Sequence, residues 1–564
     1  MTLAMSKSGR NHLLVAAFDF GTTYSGYAYS FNNDPRKIQT NQGWNAGTEK
    51  LISLKTPTCV LLNPQKEFAA FGYDAENKYA NLAEDNKHKE WMFFRRFKML
   101  LHNNKGLNRS ASVEDIQGKK MPAMTIFSMS LRYLRDHLVE ALTRQVDGIK
   151  ETDILYVLTV PAIWSDAAKQ FMREAAIQAG FDADRIMLAL EPEAASIWCQ
   201  HINTSIKSDL SKTGSQRMVV DLGGGTADIS VHERNSDGTL KEIHRASGGP
   251  WGGTSVDQNY IKWLTKLFGR EVMWRFQNEE MADYFDILRE FETKKRTITS
   301  ETKGPVYFRV SAALREIHDE VGEKSVNEML AEMKIKDDVS YRRDKLRVSA
   351  YIVRSWFSES IDETVQHVLY LLSEASMKKQ TTIIIVGGYG ECKLVSDEMK
   401  NAITSKKIIV PDECGLAVLK GAVQFGHQPK LITFRVAKYT YGFKVKRVSE
   451  TDGCKNIIDN VFRKVVEINE VVKIDRRIPA PGQQFLSMDE QSEISIFISS
   501  DPNPAFVTDE SCSLIGNLHL GQAKSQRRAD NEVSVEFLFG ETELEVIVRT
   551  LSDNCEKKCV VDCL

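Results

Sequence analysis

Cysteine is scarce in this sequence, with 9 residues among 564. The number is odd, and the apolar run at residues 13–18 is too short for the core of a signal peptide. The pattern therefore favours free thiols in a reducing compartment over a disulfide framework. No apolar stretch approaches the ~20 residues that a membrane-spanning helix needs. The sequence predicts a cytoplasmic protein without a membrane span.

An excess of charge of either sign is also lacking. Lys and Arg total 74 and Asp and Glu total 76, which gives a net charge of −2. This balance gives no electrostatic reason to expect nucleic acid or an anionic membrane as a partner. Hydrophobic residues at 42% and charged residues at 27% are typical of a folded globular protein and exclude wholesale disorder.

Two common nucleotide-binding signatures are absent from the sequence. It contains no G-x-x-x-x-G-K-[ST] P-loop. The tripeptide Asp19-Phe20-Gly21 is not accompanied by an H-R-D catalytic loop, which excludes a protein kinase. A nucleotide site in this chain has to be built in another way.

Two segments of the sequence look like copies of each other. Residues 15–31 read VAAFDFGTTYSGYAYSF, and residues 218–233 read MVVDLGGGTADISVHE. Each has an apolar strand that ends in an aspartate, then a glycine-rich turn and a second strand with alternating apolar residues. The two aspartates, Asp19 and Asp221, are about 200 residues apart, which is too long for a solenoid repeat and predicts a duplicated domain.

A strand followed by a helix comes after each copy. Residues 154–160 predict a strand, and Ser165 is expected to cap the helix that follows it. Residues 381–386 predict the later strand, which leads through Gly387 and Gly388 into a second helix. Strands that alternate with helices indicate an α/β fold whose central sheets are covered on both faces.

The pattern changes near residue 430. Beyond it apolar residues alternate with period two, and no long helical segment is predicted. The predicted organisation is an N-terminal tail at 1–12, a two-lobed domain at 13–430 and a smaller antiparallel β-rich domain at 431–564. Within the larger domain, lobe I spans about 13–210, lobe II spans about 211–410, and a closing helix spans 411–426.

Two glycine-containing turns are the part of the sequence that indicates a function. The turn at residues 223–225 exposes backbone N–H groups that can hold phosphate oxygens, although a single turn of this kind is more often an ordinary hairpin. Its match to the Gly-Thr-Thr turn at 21–23, with an aspartate before each, favours phosphate binding. Two such turns facing each other across a cleft would clamp a polyphosphate, and Asp19 and Asp221 would hold Mg²⁺ through its waters.

The same residues resemble the seventy-kilodalton heat-shock chaperones (Hsp70) of the actin-like ATPase superfamily. The segments that carry the resemblance are, in chain order, DFGTTYSGYA, LTVPAIWSDAAKQFMREAAIQAGF, ALEPEAASIW, VVDLGGGTADIS, FETKKRTITS, VGGYGECKLV and PDECGLAVLKGAVQ. Together they cover residues 13–426, and their wording is similar to an atypical branch of the family. The resemblance implies a duplicated, two-lobed actin-like ATPase domain of the α/β class, followed by a β-rich, substrate-binding-like domain without a helical lid.

The resemblance also implies roles for individual residues toward ATP or ADP and Mg²⁺. Asp19 and Asp221 would order the waters of the metal ion. Glu191 and Asp228 would position the attacking water, and Lys98 is the candidate for the lysine that approaches the terminal phosphate. A basic helix face is the alternative explanation for Lys98. The phosphates would be held by Gly21, Thr22, Thr23, Tyr24, Gly224, Gly225 and Thr226, with Thr22 also counted in the catalytic set.

The adenosine contacts of the family map onto two further segments. One is the E-x-x-K-R-x-x-S-like helix, in which Glu292, Lys295, Arg296 and Thr299 match. The other is the loop with Gly387, Gly388 and Tyr389, together with Asp412. This loop departs from the family pattern, because Glu391 stands where the family has an arginine that stacks on adenine. Tyr389 is a substitute candidate for stacking, and packing is the alternative.

Three functions are compatible with these observations. The first is an ATP-binding, chaperone-related protein with slow Mg²⁺-dependent hydrolysis, coupled at most weakly to a β domain that holds protein clients or docking partners. The second is a nucleotide-gated scaffold without productive turnover, which gains weight from Glu391 and from the sequence PKLITFR in place of the family's acidic-leucine linker. The third is a small-molecule kinase of the same fold, for which the sequence offers no substrate motif.

Overall fold

The computed structural model describes residues 12–41, 43–45, 52–200, 210–378, 381–451, 454–479, 486–487, 493–519, 532–539, 543–550 and 556–564. Residues 1–11 of the predicted N-terminal tail lie outside these ranges. Within them the α-helices are α1 (Gly72–Glu84), α2 (Ala123–Thr143), α3 (Asp166–Gln178), α4 (Glu191–Trp198), α5 (Gly253–Phe268), α6 (Arg270–Glu279), α7 (Met281–Thr297), α8 (Ala312–Val321), α9 (Val326–Glu332), α10 (Ala350–Leu372), α11 (Lys393–Ala402) and α12 (Ala417–His427).

The first group of strands lies before residue 410. They are β1 (Leu14–Phe20), β2 (Tyr24–Phe31), β3 (Gln39–Thr40), β4 (Trp44–Asn45), β5 (Ile52–Ser53), β6 (Thr56–Pro57), β7 (Cys59–Leu62), β8 (Phe68–Phe71), β9 (Met92–Arg95), β10 (Ser112–Glu114), β11 (Lys120–Pro122), β12 (Ile154–Val160), β13 (Ile186–Leu190), β14 (Gln216–Leu222), β15 (Ala227–Arg234), β16 (Leu240–Gly249), β17 (Val306–Arg309), β18 (Val339–Arg342), β19 (Lys345–Val348), β20 (Thr382–Val386) and β21 (Ile408–Ile409).

The described elements after residue 431 are all strands. They are β22 (Ile432–Val436), β23 (Thr440–Thr451), β24 (Cys454–Val466), β25 (Val471–Lys473), β26 (Arg476–Pro479), β27 (Leu486–Ser487), β28 (Glu493–Ser499), β29 (Cys512–His519), β30 (Glu532–Phe539), β31 (Glu545–Thr550) and β32 (Glu556–Val560). The alternating apolar pattern of this region therefore forms strands, as the sequence predicts.

The central sheets of the two lobes have the same strand order and direction. In lobe I the order is β13-β12-β1-β2-β3, with β1, β12 and β13 parallel and β2 antiparallel to β1. In lobe II the order is β21-β20-β14-β15-β16, with β14, β20 and β21 parallel and β15 antiparallel to β14. Every residue of β1 and β14 is buried, so both faces of each central strand are covered within its lobe.

Helix α3 begins where the sequence predicts its cap. The Ser165 side chain accepts a hydrogen bond from the Ala168 backbone N–H at the start of α3. The apolar faces of α2 and α3 pack on the lobe I sheet, and those of α5 and α10 pack in the core of lobe II. Helix α12 lies against α4 and β1, where Leu419 and Val423 are fully buried. The closing helix therefore shares a core with Val15 and Ala17 of β1.

The lobe II sheet extends beyond the boundary predicted at residue 430. Strand β22 pairs in parallel with β16, and β25 pairs with β22, so that the sheet has seven strands. The period-two pattern of Ile432–Val436 fits a strand of the lobe II sheet and a strand of the β-rich region equally well. Only the pairing with β16 assigns it to the lobe II sheet. The remaining strands form a four-stranded sheet (β24-β23-β28-β29) and a five-stranded sheet (β26-β30-β31-β32, with β27 beside β30).

The last two sheets share a small core and touch lobe I. Their core contains Phe443, Ile496 and Phe537. Arg173 of α3 forms an ion pair with Glu543 just before β31, and the Arg173 side chain is 15% exposed.

In the described part of the chain, no helix is long and apolar enough to cross a membrane.

Candidate nucleotide-binding site

The two glycine turns face each other across the lobes. A Cβ atom placed on Gly224 would lie 2.2 Å from Oγ1 of Thr23, and one placed on Gly225 would lie 2.8 Å from Oγ1 of Thr22. The turn between β1 and β2 and the turn between β14 and β15 are therefore close neighbours, although about 200 residues separate them in the sequence. The sequence predicts this arrangement of facing turns.

The turn of lobe II is held from its carbonyl side by the start of α5. The backbone N–H groups of Gly252, Gly253 and Thr254 donate to the carbonyl oxygens of Gly225, Gly223 and Gly224, at 3.3, 3.1 and 2.8 Å. Within the described residues, the backbone N–H groups of Gly224 and Gly225 have no hydrogen-bond partner. A rigid turn with its N–H groups available suits the binding of phosphate oxygens.

Four buried carboxylates gather beside the turns. Asp221 and Asp228 are directly opposite each other in the register of β14 and β15, and Asp19 and Glu191 come from lobe I. Burial raises the pKa of Asp221, and the negative charges of Glu191, Asp228 and Asp19 raise it further. Burial likewise raises the pKa of Glu191, against the opposing effect of Lys98. Such a cluster of like charges favours the entry of a cation.

Asp228 is held in one orientation by two donors. Its Oδ2 accepts a hydrogen bond from the Thr226 hydroxyl at 2.8 Å, and its Oδ1 accepts one from the Ile163 backbone N–H at 3.3 Å. The residue is 1% exposed. Burial raises its pKa, and the hydrogen bond from Thr226 opposes that rise. A fixed, buried carboxylate at this position is suited to orienting a water molecule.

Lys98 lies in the same cluster. Its Nζ atom is 3.0 Å from Oε1 of Glu191 and 5.0 Å from the centre of the Trp164 ring. The Lys98 side chain is 5% exposed, which differs from the exposed basic helix face that was the alternative explanation. The segment that carries it is a short 3₁₀ helix, Phe97–Leu101, after β9. The structure therefore brings Lys98, Glu191, Asp228 and Asp221 together, and their roles toward a nucleotide stay predictions.

A second lysine in the cluster is not indicated by any motif in the sequence. The Nζ atom of Lys55 lies 2.6 Å from Oδ2 of Asp19 and 2.8 Å from the carbonyl oxygen of Gly415. Burial alone would lower its pKa, but the charges of Asp19, Asp221 and Glu391 raise the pKa above the ordinary value. The flanking Ser53, Leu54 and Thr56 form no recognisable site pattern, so only the folded structure reveals this contact.

Helix α7 brings the predicted adenosine-contact residues to the lobe I turn. Glu292 pairs with Lys295 at 2.6 Å and with Arg296 at 2.9 Å, and the Arg296 guanidinium lies 5.3 Å from the centre of the Tyr24 ring. Lys295 also pairs with Asp257 of α5 at 2.7 Å. The side chain of Thr299 hydrogen-bonds Thr302 instead of this network. Three of the four matched residues therefore form one charged network, which reaches the Tyr24 ring through Arg296.

The loop after β20 approaches Asp221 closely. Gly387 has a φ of +88°, and a Cβ atom there would lie 2.4 Å from Oδ1 of Asp221, so only glycine fits. Gly388 faces open space. The Tyr389 ring is 6% exposed and packs in the lobe II core against Gly253, which differs from the accessible position that stacking on a base requires.

Glu391 and Asp412 flank the other side of this loop. Oε1 of Glu391 accepts a hydrogen bond from the Gly415 backbone N–H at 3.2 Å, so Glu391 braces the segment that leads into α12. Asp412 is exposed and lies two residues before Cys414, whose carbonyl oxygen accepts a hydrogen bond from Gly387 N–H at 3.1 Å. The loop is thus tied to the start of α12 through backbone contacts.

The donor set fits a hydrated Mg²⁺ ion. Within the described residues, no group of three His, Cys, Asp or Glu side chains is arranged to hold a metal ion directly. Mg²⁺ keeps several of its waters and binds through a few carboxylates together with phosphate oxygens. The buried and mutually repelling Asp19 and Asp221 suit that second mode, which is the one the sequence analysis expects.

Comparison with known proteins agrees with this geometry. The family model described as "Hsp70 protein" matches residues 15–542. This chain belongs to the Hsp70 family. Hsp70 proteins have an actin-like ATPase fold and bind nucleotide, so the resemblance identified from the seven sequence segments is confirmed.

Individual relatives indicate which branch of the Hsp70 family the chain is similar to. The chain is similar to heat shock 70 kDa protein 12A of Mus musculus, with 30% identity over 98% of this chain and 92% of the relative. The Homo sapiens protein 12A gives the same identity and coverage, and Homo sapiens protein 12B is 29% identical over 98% of this chain. The atypical branch indicated by the sequence is therefore also found by comparison.

Proposed function

We propose that this Hsp70-family protein binds ATP and ADP together with Mg²⁺ between its two glycine turns. The observation that carries the proposal is the cluster formed by Asp19, Asp221, Glu191, Asp228 and Lys98 beside the two facing turns. The free N–H groups of Gly224 and Gly225 supply contacts for phosphate oxygens, and the carboxylates supply acceptors for metal-bound water. The matching strand orders of the two lobes support the duplicated actin-like arrangement.

We further propose slow hydrolysis of ATP at this site. Mg²⁺, when bound with the nucleotide, neutralises phosphate charge. Asp228, fixed by Thr226 and Ile163, orients a water molecule and accepts its proton, and Lys98 places a positive charge where negative charge develops on the terminal phosphate. Glu191 holds the Lys98 ammonium in place at 3.0 Å.

The scaffold without turnover is the second candidate function. Two observations favour it: Glu391 stands at the position of the family's stacking arginine, and the Tyr389 ring is buried in the lobe II core. Weak contacts to the base reduce nucleotide affinity and selectivity, but they leave the phosphate contacts in place. Nucleotide binding without hydrolysis would identify this function.

The β-rich region has a physical connection to the site. Arg435 of β22 donates to both carboxylate oxygens of Glu193 in α4, at 2.7 Å each. Lys438 donates to the carbonyl oxygens of Ala162 and Trp164, which flank the Ile163 N–H that holds Asp228. We propose that protein clients or docking partners bind to residues 431–564, with at most weak coupling to the nucleotide, and that coupling passes through this segment.

Two measurements on the full chain test the proposal. Titration calorimetry with ATP, ADP and GTP in excess Mg²⁺ is expected to give saturable binding of ATP and ADP. Single-turnover phosphate release, with and without a panel of sugars, is expected to show slow hydrolysis that sugars do not accelerate. Binding without release supports the scaffold, acceleration by a sugar supports the small-molecule kinase, and absence of binding contradicts the nucleotide site.

A further inference from the structure

The strand pairing next to Lys55 places its side chain in the site. Strand β6, which directly follows Lys55, pairs with β2 so that Ser25 is opposite Thr56 and Tyr24 is opposite Pro57. This pairing fixes the origin of the Lys55 side chain beside the first glycine turn. Its Nζ atom then reaches Asp19 at 2.6 Å and the Gly415 carbonyl oxygen at 2.8 Å, and the side chain is 19% exposed.

The path of the Lys55 side chain depends on a difference between the two lobes. In lobe II, Asp228 is directly opposite Asp221. In lobe I, the residue opposite Asp19 is Gly26. A Cβ atom on Gly26 would lie 3.0 Å from Cγ of Lys55, so the lysine stem runs through the space that a side chain would fill. Where lobe II has a second carboxylate, lobe I therefore has an ammonium group.

The charge balance of the site suggests a role for the Lys55 ammonium. The cluster holds four carboxylates, and the Lys98 ammonium is already paired with Glu191 at 3.0 Å. A nucleotide polyphosphate adds further negative charge, which in this class of site is usually balanced by Mg²⁺. Lys55 is a second cation of the cluster and pairs with Asp19, and its charge is independent of the metal supply.

We propose that Lys55 is a built-in cation of the nucleotide site, which takes over part of the charge-neutralising role of Mg²⁺ and lets the protein bind ADP and ATP when Mg²⁺ is scarce. The inference rests on the proposed nucleotide binding and adds to it a specific dependence on metal. Lys55 is a positioning and charge-balancing residue, and the inference gives it no part in bond breaking.

The test compares the affinity for a fluorescent ADP analogue in excess Mg²⁺ and in excess EDTA. For the wild type, removal of Mg²⁺ is expected to weaken binding by less than about tenfold. For Lys55→Met and Lys55→Gln, it is expected to weaken binding by more than about a hundredfold, because both remove the charge. Lys55→Arg keeps the charge and is expected to behave like the wild type.

Lys420→Met is the matched control. Lys420 is 12% exposed and pairs with Glu413 at 2.7 Å, so its removal deletes a similarly buried ammonium that does not contact Asp19. It is expected to leave the dependence on Mg²⁺ unchanged. The Lys55→Gln variant keeps a hydrogen-bond donor for Asp19, so that a folding defect of Lys55→Met does not stop the test.

The outcomes separate this inference from the proposed function. Wild-type binding in Mg²⁺ with the same metal dependence in Lys55→Gln overturns the role of Lys55 and leaves the nucleotide site intact. A wild type that loses more than about a hundredfold in affinity in EDTA also overturns it. Absence of wild-type binding in both conditions contradicts the nucleotide site itself, and the inference with it.

Discussion

The Nζ atom of Lys98 lies 3.0 Å from Oε1 of Glu191, and both side chains are buried. The pair joins the segment after β9 to the start of α4, next to the turns of both lobes. Burial raises the pKa of Glu191, and the ammonium of Lys98 opposes that rise, so it stabilises the charged form of Glu191. A lysine held in this way is available to a phosphate group without first being ordered.

Lys98→Met is expected to slow single-turnover hydrolysis by ~10²–10³ and to change nucleotide affinity much less, because its charge acts mainly on the transition state. Lys169→Met is the control, since Lys169 is 10% exposed but pairs with Asp166 at 3.2 Å instead of Glu191. Equal loss of hydrolysis in both variants, or no loss in Lys98→Met, would contradict the assignment of Lys98.

Asp228→Asn is expected to slow hydrolysis by ~10²–10⁴ while leaving ADP binding within about tenfold of the wild type. The amide keeps the hydrogen bond from either Thr226 or Ile163 but cannot accept a proton from water. Phosphate release in a single turnover measures the rate, and Asp237→Asn, an exposed aspartate at the turn before β16, is the control. If Asp228→Asn hydrolyses ATP at the wild-type rate, the water-orienting role of Asp228 is wrong.

Much of the site is predictable because its signals are local. The strand, aspartate and glycine turn recur together at 15–31 and 218–233, and each repeat is a single hairpin in the structure. The period-two pattern after residue 430 likewise predicts strands directly. Family resemblance adds Lys98 and Glu191, whose contact spans 93 positions of sequence.

Other features depend on tertiary contacts that no local pattern encodes. Lys55 reaches Asp19 only because β6 pairs with β2 and Gly26 leaves space for its stem. The burial of the Tyr389 ring depends on how α5 packs below the loop, where Gly253 lies against it. The strand at Ile432–Val436 has the same alternation in either sheet, so its place beside β16 is decided by pairing.

Peptide binding by the β-rich region is expected to be weak and nearly independent of nucleotide. Among the described residues after 431 every regular element is a strand, so no helix covers a peptide added at a sheet edge through main-chain hydrogen bonds. Fluorescence anisotropy with an apolar heptapeptide is expected to show an ATP-dependent change in affinity of less than about tenfold, or ~1.4 kcal/mol.

Arg435→Gln tests the route of any coupling, because it breaks the ion pair with Glu193. Arg477→Gln is the control, since Arg477 pairs with Glu556 within the β-rich region. A response to ATP larger than about tenfold would contradict weak coupling. If Arg435→Gln and not Arg477→Gln abolished that response, β22 would be its route. Absence of peptide binding in the full chain would favour a docking surface.

The most direct test of the nucleotide site is titration calorimetry of ADP and Mg²⁺ into Gly224→Val. The added side chain would meet Thr23 of the facing turn, where a Cβ atom alone already lies 2.2 Å from Oγ1, and would block the N–H groups of the turn. Gly304→Val is the control, because a Cβ atom on Gly304 has nothing within 4 Å. The account predicts saturable binding to the wild type and to Gly304→Val, and none to a Gly224→Val protein that remains folded by circular dichroism. Full ADP affinity in Gly224→Val would contradict it.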